Sequence, residues 1–542
     1  MKSSVKQKNS KSRLKVDLSS YREGYFLGKK NREYLVTPFG FNPKKKKHKG
    51  VPLNQNALVI GGTRAGKTYS VLIPNILLFG EKSNDNMIIT DTKGEIYNTT
   101  VNSLKENGYE VYVLNFQRDG FEKSMRFNPV AYVKNLLDAQ SLVNTIIENT
   151  SNPNGNSDEM WKNAEASYLT ALIMYAIQYF PEDQCNLGTI YRFGLECARN
   201  QEILNHIFEN LGENDPARLM FMSFSVAEDK TRSGILIGFT SRLRLFATDE
   251  IHQITSRNDF SFDEFYAKKS VLFLMVESDT TFSMIPALFF SLFFDFSMRL
   301  ADSRKDLKLP RKIRFFLDEF ANMGKISKFN SYVSVIASRG MSVFIVLQLM
   351  PQLADRYGEV PAKEIIAGFN TLIFLATDDE DTAKYISSIL GKSTQKVVFQ
   401  SHIKSVLMNS LNDASISYDA RELMMPEEVK RFDRSKVLIL QSERYPALID
   451  KVGYPELFDT KIIDWHDELQ DRQDRIEIMS FRAFFEKCAN ELEELKNDGA
   501  KQAYPPQKNN NTPKVGSSDD TDNNSDDNVD GDSDESGLFE GM

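Results

Sequence analysis

The chain contains the segment Ala57-Leu58-Val59-Ile60-Gly61-Gly62-Thr63-Arg64-Ala65-Gly66-Lys67-Thr68. Its first four residues are apolar and predict a short buried strand, and the rest fits the pattern G-x-x-x-x-G-K-[ST] of a phosphate-binding loop. A helix is expected to follow Thr68. Glycines let such a loop turn its N–H groups toward phosphate oxygens, and the helix N-terminus adds partial positive charge. The context of strand, loop and helix favours a nucleotide site over a chance match.

Each position of this loop is predicted to bind the nucleotide. The positions are Gly61, Gly62, Thr63, Arg64, Ala65, Gly66, Lys67 and Thr68. Lys67 is expected to reach the β- and γ-phosphates, and the Thr68 hydroxyl is expected to bind Mg²⁺. The cofactors implied are therefore ATP and Mg²⁺.

Short apolar runs recur along the chain and alternate with helix-like stretches. Runs this continuous are typical of strands that are buried on both faces of a parallel sheet. They are residues 57–60, 87–90, 111–114, 271–276, 313–317, 343–347, 372–375 and 437–440. Their alternation with helices predicts right-handed βαβ units. We therefore predict an α/β fold with a central, mainly parallel sheet.

A second motif places two carboxylates at the end of a predicted strand. The apolar run 313–317 is followed directly by Asp318 and Glu319, and open α/β sheets bind ligands at the carboxyl ends of their strands. We predict that Asp318 holds Mg²⁺ through a water molecule and that Glu319 polarises the attacking water. Combined with the phosphate loop, the pair predicts an ATPase that hydrolyses its nucleotide. Two surface carboxylates are the alternative.

Three further polar residues are candidates for the same site. Gln348 follows the run 343–347 and is predicted to sense the γ-phosphate or the attacking water, with a strand-end cap as the alternative. Arg339 lies between two predicted strands and is predicted to stabilise γ-phosphate charge in a neighbouring subunit, with an ordinary surface arginine as the alternative. Asp91 ends the second predicted strand and is predicted to face the nucleotide pocket.

The pattern of the chain changes at several points, which predicts its domains. Residues 132–259 show helix-like stretches (161–178, 201–211 and 233–245) and no strong strand, which predicts an inserted all-α domain. The Asn/Asp/Ser-rich end cannot bury enough apolar surface to fold. The predicted parts are a basic N-terminal arm (1–50), a discontinuous nucleotide-binding domain (51–131 and 260–465), the all-α domain (132–259), a C-terminal helical segment (466–497) and a disordered acidic tail (498–542).

Charge is distributed unevenly between the two ends of the chain. The 542 residues carry 67 Lys and Arg against 75 Asp and Glu, a formal charge of −8. Residues 1–50 contain 15 Lys or Arg and 3 Asp or Glu, whereas residues 516–542 contain 10 Asp or Glu and no Lys or Arg. The basic arm is either a solvated, partly disordered segment or a contact for anionic lipid or nucleic acid. The composition excludes collagen-like, disulfide-scaffold and fully disordered chains.

No other pattern of reactive or metal-binding residues competes with the nucleotide site. Cys185, Cys197 and Cys488 lack metal-ligand spacing, and the five histidines show no zinc pattern. The longest apolar run, residues 284–294, is interrupted by a proline and a serine and is too short to span a membrane. It is predicted to be a buried core helix. We therefore expect a cytoplasmic protein.

The motifs, taken in order, resemble those of the type IV coupling proteins, the TraG-like DNA-pumping ATPases of bacterial conjugation and type IV secretion. The resemblance covers about residues 50–460 and includes the phosphate loop and six further motifs. These are Asp91-Thr92-Lys93-Gly94-Glu95, Phe127-Asn128-Pro129, Trp161-x-x-Ala164-Glu165, Leu317-Asp318-Glu319-Phe320, Ser338-Arg339-Gly340 with Gln348, and Gly368-Phe369-Asn370. The resemblance implies a RecA-like P-loop nucleotide-binding domain with an inserted all-α domain, assembled as a homo-hexamer around a DNA channel with nucleotide between subunits.

The resemblance also implies a function and partners. Members of the family look like motors that recruit relaxase-bound single-stranded DNA and pump it to a type IV secretion channel. The implied partners are single-stranded DNA, relaxase and relaxosome proteins, and channel proteins, with the all-α domain and the acidic tail as recruiting surfaces. DNA in such a channel is expected to be held by sequence-independent Lys and Arg contacts. Arg242 and Arg244 in the helical insert are candidates for such contacts, and ordinary surface roles are favoured over them.

One feature departs from the family pattern. Typical members begin with two membrane-spanning helices, and we find none in this sequence. We therefore expect a separate membrane-anchor partner that holds the protein at the cytoplasmic face of the bacterial cell membrane, with residues 1–50 facing that partner or the anionic leaflet. Two other functions stay open: a nucleotide-gated substrate receptor or adaptor with little motor activity, and another hexameric DNA translocase or helicase. The helical insert argues against the last.

Overall fold

The computed structural model describes residue 15 and residues 24–36, 54–151, 159–277, 281–400 and 414–503. The chain divides into two compact units, Met1–Cys488 and Ala489–Met542. Most of the predicted basic arm lies outside the described residues, and so do residues 504–542 of the predicted acidic tail.

Most strands belong to one large sheet in the first unit. In chain order the strands of the described residues are β1 (Phe26–Lys30), β2 (Glu33–Val36), β3 (Ala57–Gly61), β4 (Asn86–Asp91), β5 (Glu110–Asn115), β6 (Ser270–Met275), β7 (Ile313–Leu317), β8 (Met341–Leu347), β9 (Thr371–Ala376), β10 (Lys392–Gln400), β11 (Ala414–Glu422), β12 (Lys436–Gln441) and β13 (Ala447–Asp450). Within the described ranges, eleven of them form a sheet of order β2-β1-β13-β12-β9-β3-β8-β7-β4-β6-β5, and β10 pairs with β11 separately.

The centre of the sheet is parallel and one side of it is antiparallel. Strands β3 to β9 pair in parallel with one another, whereas β12, β13, β1 and β2 add antiparallel pairs beyond β9. All of the apolar runs predicted as strands lie in this sheet. The prediction of an α/β fold with a central, mainly parallel sheet is confirmed.

Helices pack on both faces of the sheet. In chain order the helices are α1 (Ile73–Lys82), α2 (Glu95–Glu106), α3 (Leu136–Thr150), α4 (Glu159–Tyr179), α5 (Leu187–Arg199), α6 (Gln201–Glu209), α7 (Pro216–Ser225), α8 (Asp229–Leu243), α9 (Asp249–Thr255), α10 (Phe262–Ala267), α11 (Met284–Asp302), α12 (Phe329–Val335), α13 (Pro351–Tyr357), α14 (Glu359–Ala367), α15 (Glu380–Leu390), α16 (Pro426–Lys430), α17 (Tyr454–Leu457), α18 (Trp465–Glu468) and α19 (Arg482–Ala503). Neighbouring residues of β7 point to opposite faces. Phe315 packs on Phe294 of α11, and Phe316 packs on Phe79 of α1.

Helices α3 to α10 occupy the connection between β5 and β6, and the described residues of that connection contain no strand. Tyr168 of α4 packs against Phe224 of α7, with ring centroids 4.7 Å apart. Both rings are fully buried, so these helices have an apolar core of their own. The limits of a separate all-α domain at residues 132 and 259 remain a prediction.

The N-terminal residues 24–36 extend the sheet. A solvated arm was one of the two options for this region, but Tyr25, Phe26 and Leu27 are almost completely buried. The Tyr25 ring lies 4.9 Å from that of Phe344 in β8. Burial of this apolar triplet outweighs the surrounding basic charge, because large apolar side chains gain about 1.5–3 kcal/mol each when they leave water.

Helix α11 is a core helix. It is the one helix of the described residues that is long and apolar enough to cross a membrane by composition, and 67% of its apolar window is buried inside the protein. Its phenylalanines pack on β7: the Phe293 ring meets that of Phe315 edge to face, and the Phe294 ring stacks on it. The packing agrees with the predicted core helix.

The chain after β13 is less regular than the prediction of a helical segment over residues 466–497. Helix α18 ends at Glu468, and residues 469–481 contain neither helix nor strand. Helix α19 then begins at Arg482 and continues to Ala503, so residues 498–503 of the predicted tail are helical.

Candidate functional site

The predicted phosphate loop leaves the carboxyl end of β3, between β8 and β9. The N–H of Gly62 donates to the Ala376 carbonyl at the end of β9 (2.8 Å), which fastens the start of the loop to the neighbouring strand. The Ala65 N–H donates to the Gly62 carbonyl (3.2 Å), and Gly66 has a φ of +84°, a left-handed conformation that favours glycine. The loop therefore turns back tightly at the edge of the sheet.

The helix after the loop begins with an irregular turn. Residues Thr68–Leu72 form a π-helical turn that leads into α1, and such turns are frequent at functional sites. Thr63 and Arg64 are exposed, whereas Thr68 is half-buried at the start of the helix. The structure therefore places the Thr68 hydroxyl at a helix N-terminus beside the loop.

Lys67 folds back over its own loop. Its Nζ donates to the carbonyls of Gly61 (2.7 Å) and Gly62 (3.2 Å). Burial lowers the pKa of this ammonium group, while the charges of Asp318 and Glu319 raise it. Lys67 therefore lies near both predicted carboxylates at the carboxyl edge of the sheet.

Asp318 follows β7 and lies deep in the site. It is 7% exposed, and its backbone carbonyl accepts a hydrogen bond from the Thr90 hydroxyl of β4 (3.0 Å). Burial raises the pKa of Asp318 to about 7, the charges of Glu319 and Asp91 raise it as well, and Lys67 lowers it. A cation next to this carboxyl group would favour its ionised form.

Glu319 is held on both carboxylate oxygens by side-chain amides. Gln348 donates from Nε2 to Oε1 (3.1 Å), and Asn322 donates from Nδ2 to Oε2 (2.9 Å). This contact is possible because β7 and β8 are parallel neighbours. The amide of Gln348 therefore orients the carboxylate predicted to act on water.

Asp91 is also buried, but its carboxylate is turned toward a helix. Its oxygens accept hydrogen bonds from the N–H groups of Tyr97 (2.8 Å) and Lys93 (3.2 Å), at the start of α2. Burial raises its pKa to about 6, and these amide hydrogen bonds oppose the rise. Asp91 thus lies beside Asp318 and caps a helix, and its predicted contact with nucleotide remains a prediction.

Arg339 lies at the other edge of the sheet. It precedes β8 whereas Gln348 follows it, and a seven-residue strand separates two positions by roughly 20 Å. Its Nε is 2.9 Å from Oδ1 of Asp302. The structure therefore brings together Lys67, Asp318, Glu319 and Gln348, and it keeps Arg339 away from the phosphate loop of the same chain.

Three residues near the site carry no motif of their own. Asn322 contacts Glu319, and the Oε1 of Gln352 accepts the Gln348 N–H (3.1 Å). Lys93 is exposed and lies close enough to lower the pKa of Lys67. Their only sequence signal is spacing: Asn322 and Gln352 follow Glu319 and Gln348 within one helical turn, and Lys93 follows Asp91.

A phosphate loop at the carboxyl edge of a mainly parallel sheet, with two carboxylates on a nearby strand, defines a RecA-like P-loop nucleotide-binding protein. The family model described as Type IV secretory system Conjugative DNA transfer matches residues 7–496. The chain therefore belongs to this family and is a type IV coupling protein, as its motifs predict.

Individual relatives are distant. The chain is 25% identical over 413 residues to Protein VirD4 of Rhizobium radiobacter, and the match covers 74% of this chain and 57% of that protein. The chain therefore spans little more than half the length of this relative.

Solved structures share the fold. The bacterial conjugative coupling protein TrwBdeltaN70 in its unbound form has a TM-score of 0.55 at 16% identity, covering 82% of this chain and 93% of that one. The plasmid coupling protein TrwB in complex with ADP and Mg²⁺ has a TM-score of 0.53 at 17% identity, covering 79% and 94%. These likenesses support a RecA-like architecture.

Proposed function

We propose that this coupling protein hydrolyses ATP at the loop of residues 61–68. The observation that carries the proposal is the convergence of Lys67, Asp318 and the Glu319–Gln348 pair at one edge of the sheet. Lys67 neutralises charge on the β- and γ-phosphates. Glu319 accepts a proton from the attacking water, and Gln348 holds that carboxylate in place. The loop amides bind the remaining phosphate oxygens.

Thr68 and Asp318 are the residues that hold Mg²⁺ with the nucleotide. Their hydroxyl and carboxylate oxygens are the ligands that Mg²⁺ prefers, and Mg²⁺ keeps several water ligands of its own. The raised pKa of Asp318 fits this role, because a cation compensates the buried charge. Bound Mg²⁺ neutralises phosphate charge. TrwB, which shares the fold, binds ADP and Mg²⁺.

Arg339 is proposed to act in a neighbouring subunit. Its distance from the loop of its own chain is the supporting observation, because a ring of subunits brings the amino edge of one sheet to the carboxyl edge of the next. An arginine supplied in this way stabilises transition-state charge. A homo-hexamer with nucleotide between subunits is therefore the proposed active form.

The work of hydrolysis is proposed to move single-stranded DNA with its attached relaxase toward a type IV secretion channel. Membership in the conjugative DNA transfer family supports this substrate class. Relaxosome proteins, channel proteins and a membrane-anchor partner at the cytoplasmic face of the membrane complete the proposed system. Two arginines were considered for DNA contact. Arg242 is paired with Glu165 (2.6 Å) and with Thr150 (2.8 Å), whereas Arg244 is exposed. Arg244 is therefore the better placed of the two to contact DNA.

The test is ATP hydrolysis by the full chain with and without single-stranded DNA. We expect DNA to stimulate hydrolysis at low salt and the stimulation to decline as salt rises, since phosphate contacts release counterions. Glu319→Gln should keep ATP binding and reduce kcat about 10²–10⁴-fold. Hydrolysis that ignores DNA at every salt concentration in assembled hexamers would count against a pump.

Two further measurements separate the alternatives. DNA transfer that survives Glu319→Gln with nucleotide binding intact would favour a nucleotide-gated receptor over a motor. Strand displacement on forked duplex DNA would favour a helicase.

A further inference from the structure

The lysine that follows β13, the last strand in chain order, reaches the phosphate loop. Lys451 follows β13 directly, and its backbone is fixed by a hydrogen bond from its N–H to the Ser435 carbonyl (2.8 Å). Strands β12 and β13 form an antiparallel hairpin in which Lys436 pairs with Asp450. Because β12 runs antiparallel to β9, the first and last residues of this hairpin lie at the carboxyl end of β9. Lys451 therefore lies at the same edge of the sheet as the loop.

The Lys451 ammonium group contacts the loop directly. Its Nζ donates to the Ala65 carbonyl (2.8 Å). A Cβ on Gly66 would lie 3.6 Å from Cδ of Lys451 and 3.9 Å from its Nζ. The side chain thus runs along residues 65 and 66, where the loop turns back toward α1.

This contact determines where one loop amide points. The Ala65 carbonyl and the Gly66 N–H belong to one planar trans peptide group, so they point in opposite directions. When Lys451 holds the carbonyl on the outside of the loop, the Gly66 N–H is directed to the inside. A cationic donor on the carbonyl also polarises the peptide and strengthens the N–H as a donor.

The charge of Lys451 is not cancelled by a salt bridge in the described part of the chain. The matching lysine of the hairpin, Lys436, differs in this respect because it pairs with Asp450. Lys451 is half-buried, and burial together with the charge of Arg434 lowers its pKa while Asp433 raises it. Lys451 and Lys67 therefore both bring an ammonium group to carbonyls of the same loop.

We propose that Lys451 is a positioning residue of the nucleotide site, which holds the Ala65–Gly66 peptide so that the Gly66 N–H faces the phosphates. The proposal rests on the proposed function, because it concerns the affinity of the same loop for ADP and ATP. Lys451 acts through the loop and does not touch the reacting atoms.

The experiment compares full-length wild type, Lys451→Met, Lys451→Arg and the control Lys436→Met. Methionine keeps most of the aliphatic length and removes the donor and the charge, whereas arginine keeps both. We expect Lys451→Met to raise the dissociation constant for ADP about tenfold, the effect of losing one hydrogen bond to a charged group. The KM for ATP should rise similarly with kcat within about twofold. Lys451→Arg should restore most of the affinity, and Lys436→Met should bind like wild type.

Several outcomes would overturn the proposal. They are wild-type affinity in Lys451→Met, an equal loss in Lys451→Arg, or a lower kcat and unfolding midpoint with an unchanged KM, which indicates a structural role. Lys451→Gln is a second neutral variant if the methionine variant does not fold.

Lys67→Ala separates failure of the Lys451 inference from failure of the proposed function. If wild type itself binds no more ADP than Lys67→Ala does, the proposed function fails and this inference fails with it. If only Lys67→Ala loses binding, the inference alone is wrong.

Discussion

Glu319 has a backbone conformation that residues other than glycine rarely adopt. Its φ of +47° lies in the left-handed region, and such residues persist where surrounding contacts hold them. Here the amides of Gln348 and Asn322 hold the two carboxylate oxygens. The strained turn directs the carboxylate sideways from the end of β7, toward the end of β8. A general base must be oriented toward the proton it removes, so these contacts fit the role proposed for Glu319.

Removing one of these amides tests the orientation of Glu319. Gln348→Ala leaves Glu319 with one amide partner, so we expect kcat for ATP hydrolysis to decrease about 10–100-fold and the dissociation constant for ADP to stay within about twofold. Steady-state hydrolysis and equilibrium binding measure the two quantities. Gln140→Ala on α3 is the control and should behave like wild type. A raised dissociation constant with unchanged kcat would mean that Gln348 binds nucleotide rather than orienting Glu319.

Asp91 gives a prediction about pH. Burial raises its pKa from 3.8 to about 6, so the folded protein holds this proton more tightly than the unfolded chain does. Folding stability from this group is therefore greatest at low pH and is lost as pH rises from about 4 to about 6. Asparagine cannot ionise. Relative to Asp91→Asn, wild type should lose about 2 kcal/mol of unfolding free energy between pH 4 and pH 6.

Urea denaturation from pH 4 to pH 8 without Mg²⁺ measures this difference. The control is Asp378→Asn, whose side chain is 89% exposed, and its profile should follow that of wild type. Parallel profiles for wild type and Asp91→Asn would show that Asp91 does not carry a raised pKa.

Among single residues, those at the ends of apolar strands were predictable. Lys67, Asp318 and Gln348 follow buried runs, and a parallel sheet brings the ends of its strands together. Lys451 was not predictable, because its contact with Ala65 depends on the position of β13 in the sheet. Asp91 shows the limit of the rule: its place at a strand end was predictable, but the turn of its carboxylate toward α2 was not.

At the level of elements, the irregular stretch of residues 469–481 fastens the helical connection to the rest of the first unit. Side-chain amides bind its backbone. Gln253 donates from Nε2 to the Ile476 carbonyl (2.8 Å) and accepts the Ile476 N–H (3.0 Å). Gln184 likewise accepts the Met479 N–H (2.9 Å). These contacts satisfy backbone groups that neither a helix nor a sheet serves.

An ion pair between Arg126 and Asp474 also joins this stretch to the rest of the first unit. Arg126 is 1% exposed, and its guanidinium contacts both carboxylate oxygens of Asp474, at 3.1 and 3.0 Å. We expect Asp474→Ala to lower the free energy of unfolding more than a substitution in an exposed ion pair does, because the buried charge of Arg126 loses a partner. The loss is below that of a fully buried pair because Asp474 is half-exposed and Asp259 stays near Arg126.

Asp471→Ala is the matched control for this prediction. Asp471 lies in the same stretch and pairs with Lys123, and its side chain is 55% exposed, close to the 51% of Asp474. Its loss should change stability by about 0.5 kcal/mol at most. Urea unfolding measures both variants. Equal effects of the two substitutions would mean that burial of Arg126 does not decide the outcome.

The elements differ in how well sequence predicts them. The central strands were predictable because both of their faces are buried, which makes their apolar runs continuous. Strand β13 alternates buried and exposed residues over only four positions, and β1 lies within a lysine-rich region. In the described part of the chain, strands β10 and β11 pair with each other and not with the large sheet. A four-residue strand and a strand set among lysines leave no continuous apolar run in the sequence.

For the whole molecule, the two edges of the sheet have different chemistry. The carboxyl edge carries Lys67 and Asp318, and the amino edge carries Arg339 with its partner Asp302. If Arg339 acts in hydrolysis as proposed, it cannot reach the phosphate loop of its own chain, because the two lie at opposite edges of the sheet. Head-to-tail assembly in a ring joins such unlike edges, and cyclic symmetry repeats the joint at each interface.

Mixing two inactive variants tests this arrangement. Lys67→Ala lacks the phosphate-binding lysine but keeps Arg339, and Arg339→Ala has the reverse defect. If sites form across subunits, an Arg339→Ala chain next to a Lys67→Ala chain makes one intact site. Random equimolar assembly then places an intact site at about a quarter of the interfaces, and each variant alone should hydrolyse ATP about 10³-fold more slowly than wild type.

Steady-state hydrolysis of the mixture, normalised to wild-type rings, measures the recovery. Arg304→Ala, on the neighbouring exposed loop, should keep wild-type activity. Mixed rings that assemble and show no recovery would place the action of Arg339 within its own chain or outside hydrolysis, because only a residue acting in trans can be supplied by a partner.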